Sequence, residues 1–332
     1  MAAGPLVVTY ELDAEARSVI ADSLDGAGEV VFLQDFFQDE SPAGRAAALS
    51  RAGVVLARNT ALDLEDEELA LLSNAMLLQF VTAGVDFIPL SKLPPSLPVA
   101  FNGGGYSEPM AEHGLAMTLA AAKRLFVEHA ELARGQFNQF TMNRMLAGGI
   151  AGILGFGGIG VASARLLRGL GMSVQAINRR GASDEPVDWM GGPEDLDTLL
   201  AAADVLIVSA PLTRATRGLI GSRELRLMKP DAIVVNLARG EIIDEAALYR
   251  HLKACPAFTA CIDAWWVEPI RHGAFRMGQP FLDLPNVIAS PHNSASVRGW
   301  HLIALRRATA NCRRALLGEA PQHLIGMDER LA

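Results

Sequence analysis

The chain has 332 residues, half of them apolar and a fifth charged, with a formal net charge of −8. That composition belongs to a packed globular protein long enough for two domains, and it excludes a disordered or fibrous chain. A net negative charge without basic runs argues against a nucleic-acid backbone as partner, because such binding rests on basic patches. The three cysteines, Cys255, Cys261 and Cys312, form neither a zinc pattern nor a disulfide framework. They read as reduced thiols, so a cytoplasmic protein without a metal is expected. No export signal is visible, since the first apolar run, Leu6–Tyr10, is only strand-sized.

Short apolar runs alternate with helix-length segments. Strands are predicted at Leu6–Tyr10, Val30–Leu33, Val54–Ala57, Leu78–Thr82 and Val99–Phe101. Further strands are predicted at Ile150–Leu154, Val174–Ile177, Val205–Ser209, Ile233–Leu237, Thr259–Ile262 and Val287–Ala289. Near-continuous apolarity favours parallel strands buried on both faces, hence a doubly wound α/β architecture. One long helix, from about Ser107 to Arg134, breaks this rhythm, with Pro109 in its first turn where a missing N–H costs nothing. Its small-residue face, Ala116, Leu119, Ala120 and Ala122, suits close packing against another helix or subunit. Pro94, Pro95 and Pro98, then Asn102-Gly-Gly-Gly105, mark breaks on either side of the strand at Val99. A last helix is predicted from about Ser296 to Leu317.

The most informative segment is Gly155-Phe-Gly157-Gly158-Ile159-Gly160, between the predicted strand Ile150–Leu154 and a helix-compatible run. Strand, glycine turn, helix and strand in that order make a credible dinucleotide site. Gly155 permits the sharp turn, Gly157 lets a pyrophosphate approach bare backbone, and Gly160 lets helix and strand pack closely. The helix N-terminus adds N–H groups and a positive dipole end. Met145 to Ala164 carries no charged residue but holds seven glycines. Each costs about 0.8–1.0 kcal/mol relative to alanine inside a helix, so a membrane span is rejected.

Three later strands each end in a polar residue. Ile233-Val-Val-Asn-Leu-Ala238-Arg239 delivers an arginine, Thr259-Ala-Cys-Ile-Asp263 through Glu268 two carboxylates, and Val287-Ile-Ala-Ser-Pro-His292 a histidine. Carboxyl ends of parallel strands converge on the ligand crevice. Hydride delivery to a carbonyl builds negative charge on oxygen, so a proton donor must lie within hydrogen-bond reach. Histidine suits that task and a neighbouring carboxylate favours its protonated form; an arginine fork fits a carboxylate bidentately. The other histidines, His113, His129, His251, His272, His301 and His323, receive no catalytic role, and Trp265 and Trp266 read as packing.

With the glycine turn, these residues resemble the D-isomer-specific 2-hydroxyacid dehydrogenase family. The resemblance covers most of the chain and includes Thr82-Ala-Gly-Val-Asp86, Ala111-Glu-His-Gly-Leu-Ala116, Pro211 to Ile220 and Met228 to Gly240. It implies a Rossmann cofactor domain over 102–295 and a smaller, discontinuous flavodoxin-like α/β substrate domain over 1–101 and 296–332. It implies that Arg239 binds the substrate carboxylate and carbonyl oxygen, that His292 is the general acid and base, and that Glu268 holds the imidazole. Backbone N–H groups near Ala83 and Gly84 would grip the carboxylate. Cofactor contacts are implied at Gly155, Gly157, Gly158, Ile159, Gly160, Pro211, Thr216, Ala238 and Asp263, the last to the nicotinamide carboxamide. The segment from Ile270 to Pro280 is longer than this loop usually is. The family is commonly dimeric, so a homodimer through the 107–134 region is expected.

NAD-specific sites carry an acid at the end of the second strand, about 20 residues past the glycine turn. Here the strand ends in Asn178-Arg179-Arg180, with no Asp or Glu before Asp184. Two guanidinium groups can clamp a 2′-phosphate, so NADP(H) is the expected cofactor, with NAD(H) possible. Arg58, after the strand Val54–Ala57, is a candidate contact to the far end of the substrate, although an exposed loop arginine is the commoner case. Glyoxylate and hydroxypyruvate are the expected kind of substrate. The alternatives are phosphite or formate dehydrogenase on the same scaffold, or a nucleotide-sensing corepressor-type protein. Formate dehydrogenases of this family carry glutamine where Glu268 stands, and corepressors carry partner-binding tails.

Overall fold

The computed structural model describes residues 4–38 and 42–330, which form two compact units. The first comprises residues up to Tyr106 together with those from Val297 onward, and the second runs from Ser107 to Ser296.

The first unit holds five parallel strands, β1 (Leu6–Val8), β2 (Val30–Phe32), β3 (Val54–Ala57), β4 (Leu77–Phe80) and β5 (Val99–Ala100). Their order, β2-β1-β3-β4-β5, is the flavodoxin-type order. Alternate residues feed opposite faces. Leu6, Val8, Val54 and Leu56 pack with the helices Ala14–Leu24 and Trp300–Leu316. Val7, Val55, Ala57, Leu78 and Phe80 enter the core on the other side. Both faces are covered, and the strands accordingly read as unbroken apolar runs rather than as alternation.

The second unit holds seven parallel strands, β6 (Ile150–Leu154), β7 (Ser173–Ile177), β8 (Trp189–Gly191), β9 (Val205–Val208), β10 (Ile233–Asn236), β11 (Thr259–Ile262) and β12 (Val287–Ala289). Their order is β12-β11-β10-β9-β6-β7-β8. Reading outward from β6, this is the doubly wound Rossmann order with one strand added at the far edge, reversing direction between β6 and β9.

All the expected strands form, most of them shortened at the carboxyl end. Tyr10, Leu33, Thr82, Phe101, Ser209 and Leu237 lie just past strands instead of inside them. The short edge strand β8 lies outside the expected strands, because the apolar pair Trp189-Met190 is too short a run to signal one. The single helix expected over 107–134 is two helices, Ser107–Ala122 and Leu125–Ala133, broken at Arg124, whose φ is 52°. No glycine or proline marks that break. It is made by the returning chain: Arg144 N donates to Ala122 O at 2.9 Å and Lys123 Nζ donates to Arg144 O at 2.8 Å. Of the expected small-residue face, Ala120 and Ala122 are buried, Leu119 is half-buried and Ala116 is exposed; Met110, Gly114, Met117 and Thr118 are buried as well. The last long helix starts at Trp300, after the left-handed Gly299, instead of at Ser296. Among the described residues no helix is long and apolar enough to cross a membrane.

Candidate active site

In the second unit the site residues follow the carboxyl ends of β6, β7, β9, β10, β11 and β12. Gly155 closes the turn after β6 with φ +98°, and its N–H donates to Ile177 O at 3.0 Å. A Cβ there would lie 2.4 Å from Ala210 N, and one on Gly160 would lie 2.4 Å from Gly155 O. Both are close approaches that only glycine allows. A Cβ on Gly157 meets nothing within 4 Å, so the space above this N-cap of the helix Gly158–Gly169 is open. The three glycines thus separate into turn, open cradle and close packing, the arrangement a pyrophosphate requires. Gly158 and Ile159 form the first turn of that helix.

Their differing surroundings give a paired prediction. Gly155→Ala should cost about 1–3 kcal/mol of stability, because it forces a left-handed φ on a residue against backbone. Gly157→Ala should cost less than about 1 kcal/mol yet weaken binding of a dinucleotide. Urea midpoints and fluorescence titration with NADPH check both, and comparable stability losses would refute the division of roles.

Past β7, Asn178 is spent on its own loop. Its Oδ1 accepts from Arg180 N at 2.9 Å and its Nδ2 donates to Ala182 O at 2.8 Å. It shapes the turn that presents the exposed Arg179 and Arg180. Glu185, the next acid after Asp184, is held by a bidentate pair with Arg165 at 2.8 and 2.6 Å. After β9, Thr216 Oγ1 donates to Pro211 O at 2.7 Å and closes that loop.

Arg239 follows β10. Asn236 braces its backbone, donating from Nδ2 to Arg239 O at 2.9 Å and accepting from Ala238 N at 3.1 Å. Beyond β11, Glu268 is 6% exposed. Its Oε1 lies 2.7 Å from His292 Nδ1 and accepts from Trp265 N at 2.7 Å. Burial would raise this carboxyl, but the bonds from His292 and Trp265 and the charges of His292 and Arg239 hold it below the ordinary glutamate value. His292 itself has φ 51°, an uncommon conformation for a residue other than glycine. Its Nδ1 is committed to Glu268, which leaves Nε2 for other chemistry.

Asp263 is fully buried. Its Oδ1 accepts from Ser290 Oγ at 2.6 Å and Asn293 N at 3.2 Å, while Oδ2 has no hydrogen-bond partner. A buried carboxylate oxygen without a donor fits a contact to a carboxamide N–H, the role the family resemblance implies. His113 lies 3.0 Å from Ser290 Oγ through Nε2 and 3.8 Å from Asp263 Oδ1. Sequence reasoning missed this histidine, since its partner stands far along the chain. The only sequence signal was its place in Ala111-Glu-His-Gly-Leu-Ala116. Trp265 and Trp266 are packing residues: Trp265 Nε1 donates to Ser290 O, and Trp266 stacks on Phe281.

In the first unit, Ala83 and Gly84 follow β4 in irregular backbone, braced by Asn102, whose Nδ2 donates to Val81 O at 3.0 Å. Arg58 follows β3 and is exposed, with its guanidinium 5.6 Å from the Tyr10 ring centre. Burial, first of all, pushes the Tyr10 phenol far above its ordinary range.

Comparison with known proteins decides the family. Residues 115–294 match the profile of the D-isomer specific 2-hydroxyacid dehydrogenase NAD binding domain. The chain belongs to the D-isomer specific 2-hydroxyacid dehydrogenase family. It is 32% identical to a hydroxypyruvate reductase of Thermotoga maritima over 64% of this chain and 68% of that protein. It is 35% identical to a D-3-phosphoglycerate dehydrogenase of Archaeoglobus fulgidus over 74% of this chain. The match spans 46% of that enzyme's length, and 41% of its Methanocaldococcus jannaschii counterpart. Among solved structures, a D-isomer specific 2-hydroxyacid dehydrogenase from Xanthobacter autotrophicus Py2, in complex with NADPH and MES, superposes with a TM-score of 0.79. It shares 26% identity, over 99% of this chain and all of that one. For a member of this dehydrogenase family, the three glycines and the unpartnered Asp263 oxygen are the residues that would hold a nicotinamide dinucleotide.

Proposed function

We propose that this protein interconverts a small 2-oxo acid and its D-2-hydroxy acid with NADP(H), as a glyoxylate or hydroxypyruvate reductase does. The observation that carries the reading is the Glu268–His292 contact at 2.7 Å beside the Arg239 loop. A bound nicotinamide dinucleotide supplies the hydride. Arg239 holds the substrate carboxylate and carbonyl oxygen. His292 gives the proton to the oxygen from Nε2 in reduction and takes it back in oxidation. Glu268 fixes the tautomer and orientation of the ring and favours its charged form. Gly155, Gly157, Gly158, Ile159 and Gly160 cradle the pyrophosphate. Pro211, Thr216 and Ala238 border the cofactor. Asp263 accepts from its carboxamide, and Arg179 and Arg180 take the 2′-phosphate. In this reading the first unit is the substrate domain, and Arg58 on Tyr10 favours an acid whose far end is polar or anionic.

The test is initial-rate kinetics with glyoxylate and hydroxypyruvate, each with NADPH and NADH, and with formate and phosphite in the oxidative direction. Turnover confined to formate or phosphite would overturn the 2-oxo acid reading, and no turnover with any pair would overturn the enzyme reading.

We also propose that the partner is a second copy. Leu125, Phe126, Leu132, Phe137, Phe140, Met142 and Met145 are large apolar residues with 55–90% exposure along one segment of the second unit. An apolar stretch of that extent marks an association surface. Sedimentation equilibrium should give a dimer that Phe126→Asp with Phe140→Asp dissociates; a wild-type monomer at micromolar concentration would exclude it.

A further inference from the structure

The segment from Pro269 to Pro280 is built onto the proposed catalytic machinery. Glu268 is the N-cap of the four-residue helix Pro269–His272, and its N–H donates to His272 Nδ1 at 3.0 Å. Gly273, with φ +73°, ends the helix. Val267 then bridges Arg276, and the Phe275 ring meets the Trp265 ring edge-on at 5.3 Å. A helix this short has no stability of its own, so the contacts that anchor it add to those of His292 and Trp265 in setting where Glu268 sits.

Gly278 N donates to Glu245 Oε1 at 2.7 Å, and Arg271 is the charged anchor of the helix itself. Its Nη1 donates to Glu241 Oε2 at 3.0 Å and its Nη2 to Glu241 Oε1 at 2.9 Å. The two side chains are only 12% and 15% exposed, unlike Arg217, which is 60% exposed and 3.9 Å from Glu241. Glu241 stands two residues after Arg239 in the chain. Between them, Gly240 presses on the other loop so closely that a Cβ would lie 2.4 Å from the Trp265 carbonyl carbon. The loop carrying Arg239 and the loop carrying Glu268 therefore touch through backbone and are fastened by a shielded bidentate pair and by Trp266 Nε1, which donates to Ile243 O at 2.7 Å. Such a pair fixes both distance and plane, which a lysine in its place would not.

We propose that Arg271 is a positioning residue that acts through Glu268, holding the His292–Glu268 pair in register with Arg239. The kinetic side of this rests on the dehydrogenase reading above. The test compares Arg271→Ala in the wild-type and Glu268→Gln backgrounds, with glyoxylate and NADPH as probes. Arg271→Ala should lower kcat about tenfold in the first and change it less than about twofold in the second, because neighbours acting through one group are not additive. Arg271→Lys should recover part of the loss. Amide exchange supplies a reading independent of substrate: the Trp265 N–H, which donates to Glu268, should exchange at least about tenfold faster in Arg271→Ala. If Arg271→Ala does not fold, Glu241→Gln replaces it in both measurements. Equal kcat losses in the two backgrounds, or unchanged Trp265 protection, overturns the proposal. Absence of glyoxylate and hydroxypyruvate turnover in the wild type counts against the dehydrogenase reading alone, and the exchange result then decides the role of Arg271.

Discussion

Replacing His292 by glutamine should lower kcat about 10²–10⁴-fold, the usual contribution of a positioned general acid–base group, while NADPH binding stays near normal. The ring's Nδ1 is held 2.7 Å from a buried glutamate oxygen, so only Nε2 can exchange a proton with substrate. Glutamine can still occupy the volume and accept or donate a hydrogen bond, but it cannot carry the transferred proton. Arg239→Ala should behave differently, raising KM for the 2-oxo acid and lowering kcat together, since orientation and charge stabilisation are lost at once. Steady-state kinetics with glyoxylate and hydroxypyruvate, alongside fluorescence titration of NADPH, separate the two patterns. A His292→Gln enzyme with near-normal turnover would remove His292 from the chemistry.

The second large effect is expected on cofactor choice. Arg179→Ala should weaken NADPH binding by about ten- to a hundredfold and NADH binding by no more than about threefold, because a hydrogen bond to a charged group contributes about 1.5–3 kcal/mol. The loop supports this reading physically. Asn178 stands where a carboxylate would repel a 2′-phosphate, and its amide braces the turn through Arg180 N and Ala182 O. Of the next acids, Glu185 is already neutralised by Arg165. Asn178→Asp should shift preference toward NADH while loosening the turn, since a carboxylate cannot donate to Ala182 O. Binding constants for both cofactors and kcat/KM in the unmutated enzyme decide the matter. An enzyme that uses NADH as well as or better than NADPH would end the argument for these arginines.

Much of this protein is written locally. The apolar runs at Leu6, Val54, Ile150, Val205 and Ile233 become central strands, because a strand covered on both faces needs nothing but apolar residues. Gly155, Gly157 and Gly160 announce their roles because backbone geometry at a turn depends on the residues in the turn. Arg239 and His292 stand out as polar residues close behind apolar strands, and Glu268 as the second of two carboxylates beyond the strand Thr259–Ile262. What lies between distant segments was not legible. The break at Arg124 comes from Arg144 closing on Ala122, and the role of Asn178 from the path its own loop takes. Strand β8 exists because β7 offers it an edge to pair with. The Asp263–Ser290–His113 chain and the Arg271–Glu241 clamp join residues far apart in sequence. Propensity, apolar period and turn chemistry act over a few residues, so the sequence by itself determined the strands, the glycine cradle and the identity of the polar groups. Hydrogen bonds between loops depend on where whole elements come to rest, and only the tertiary structure decided which of those groups meet.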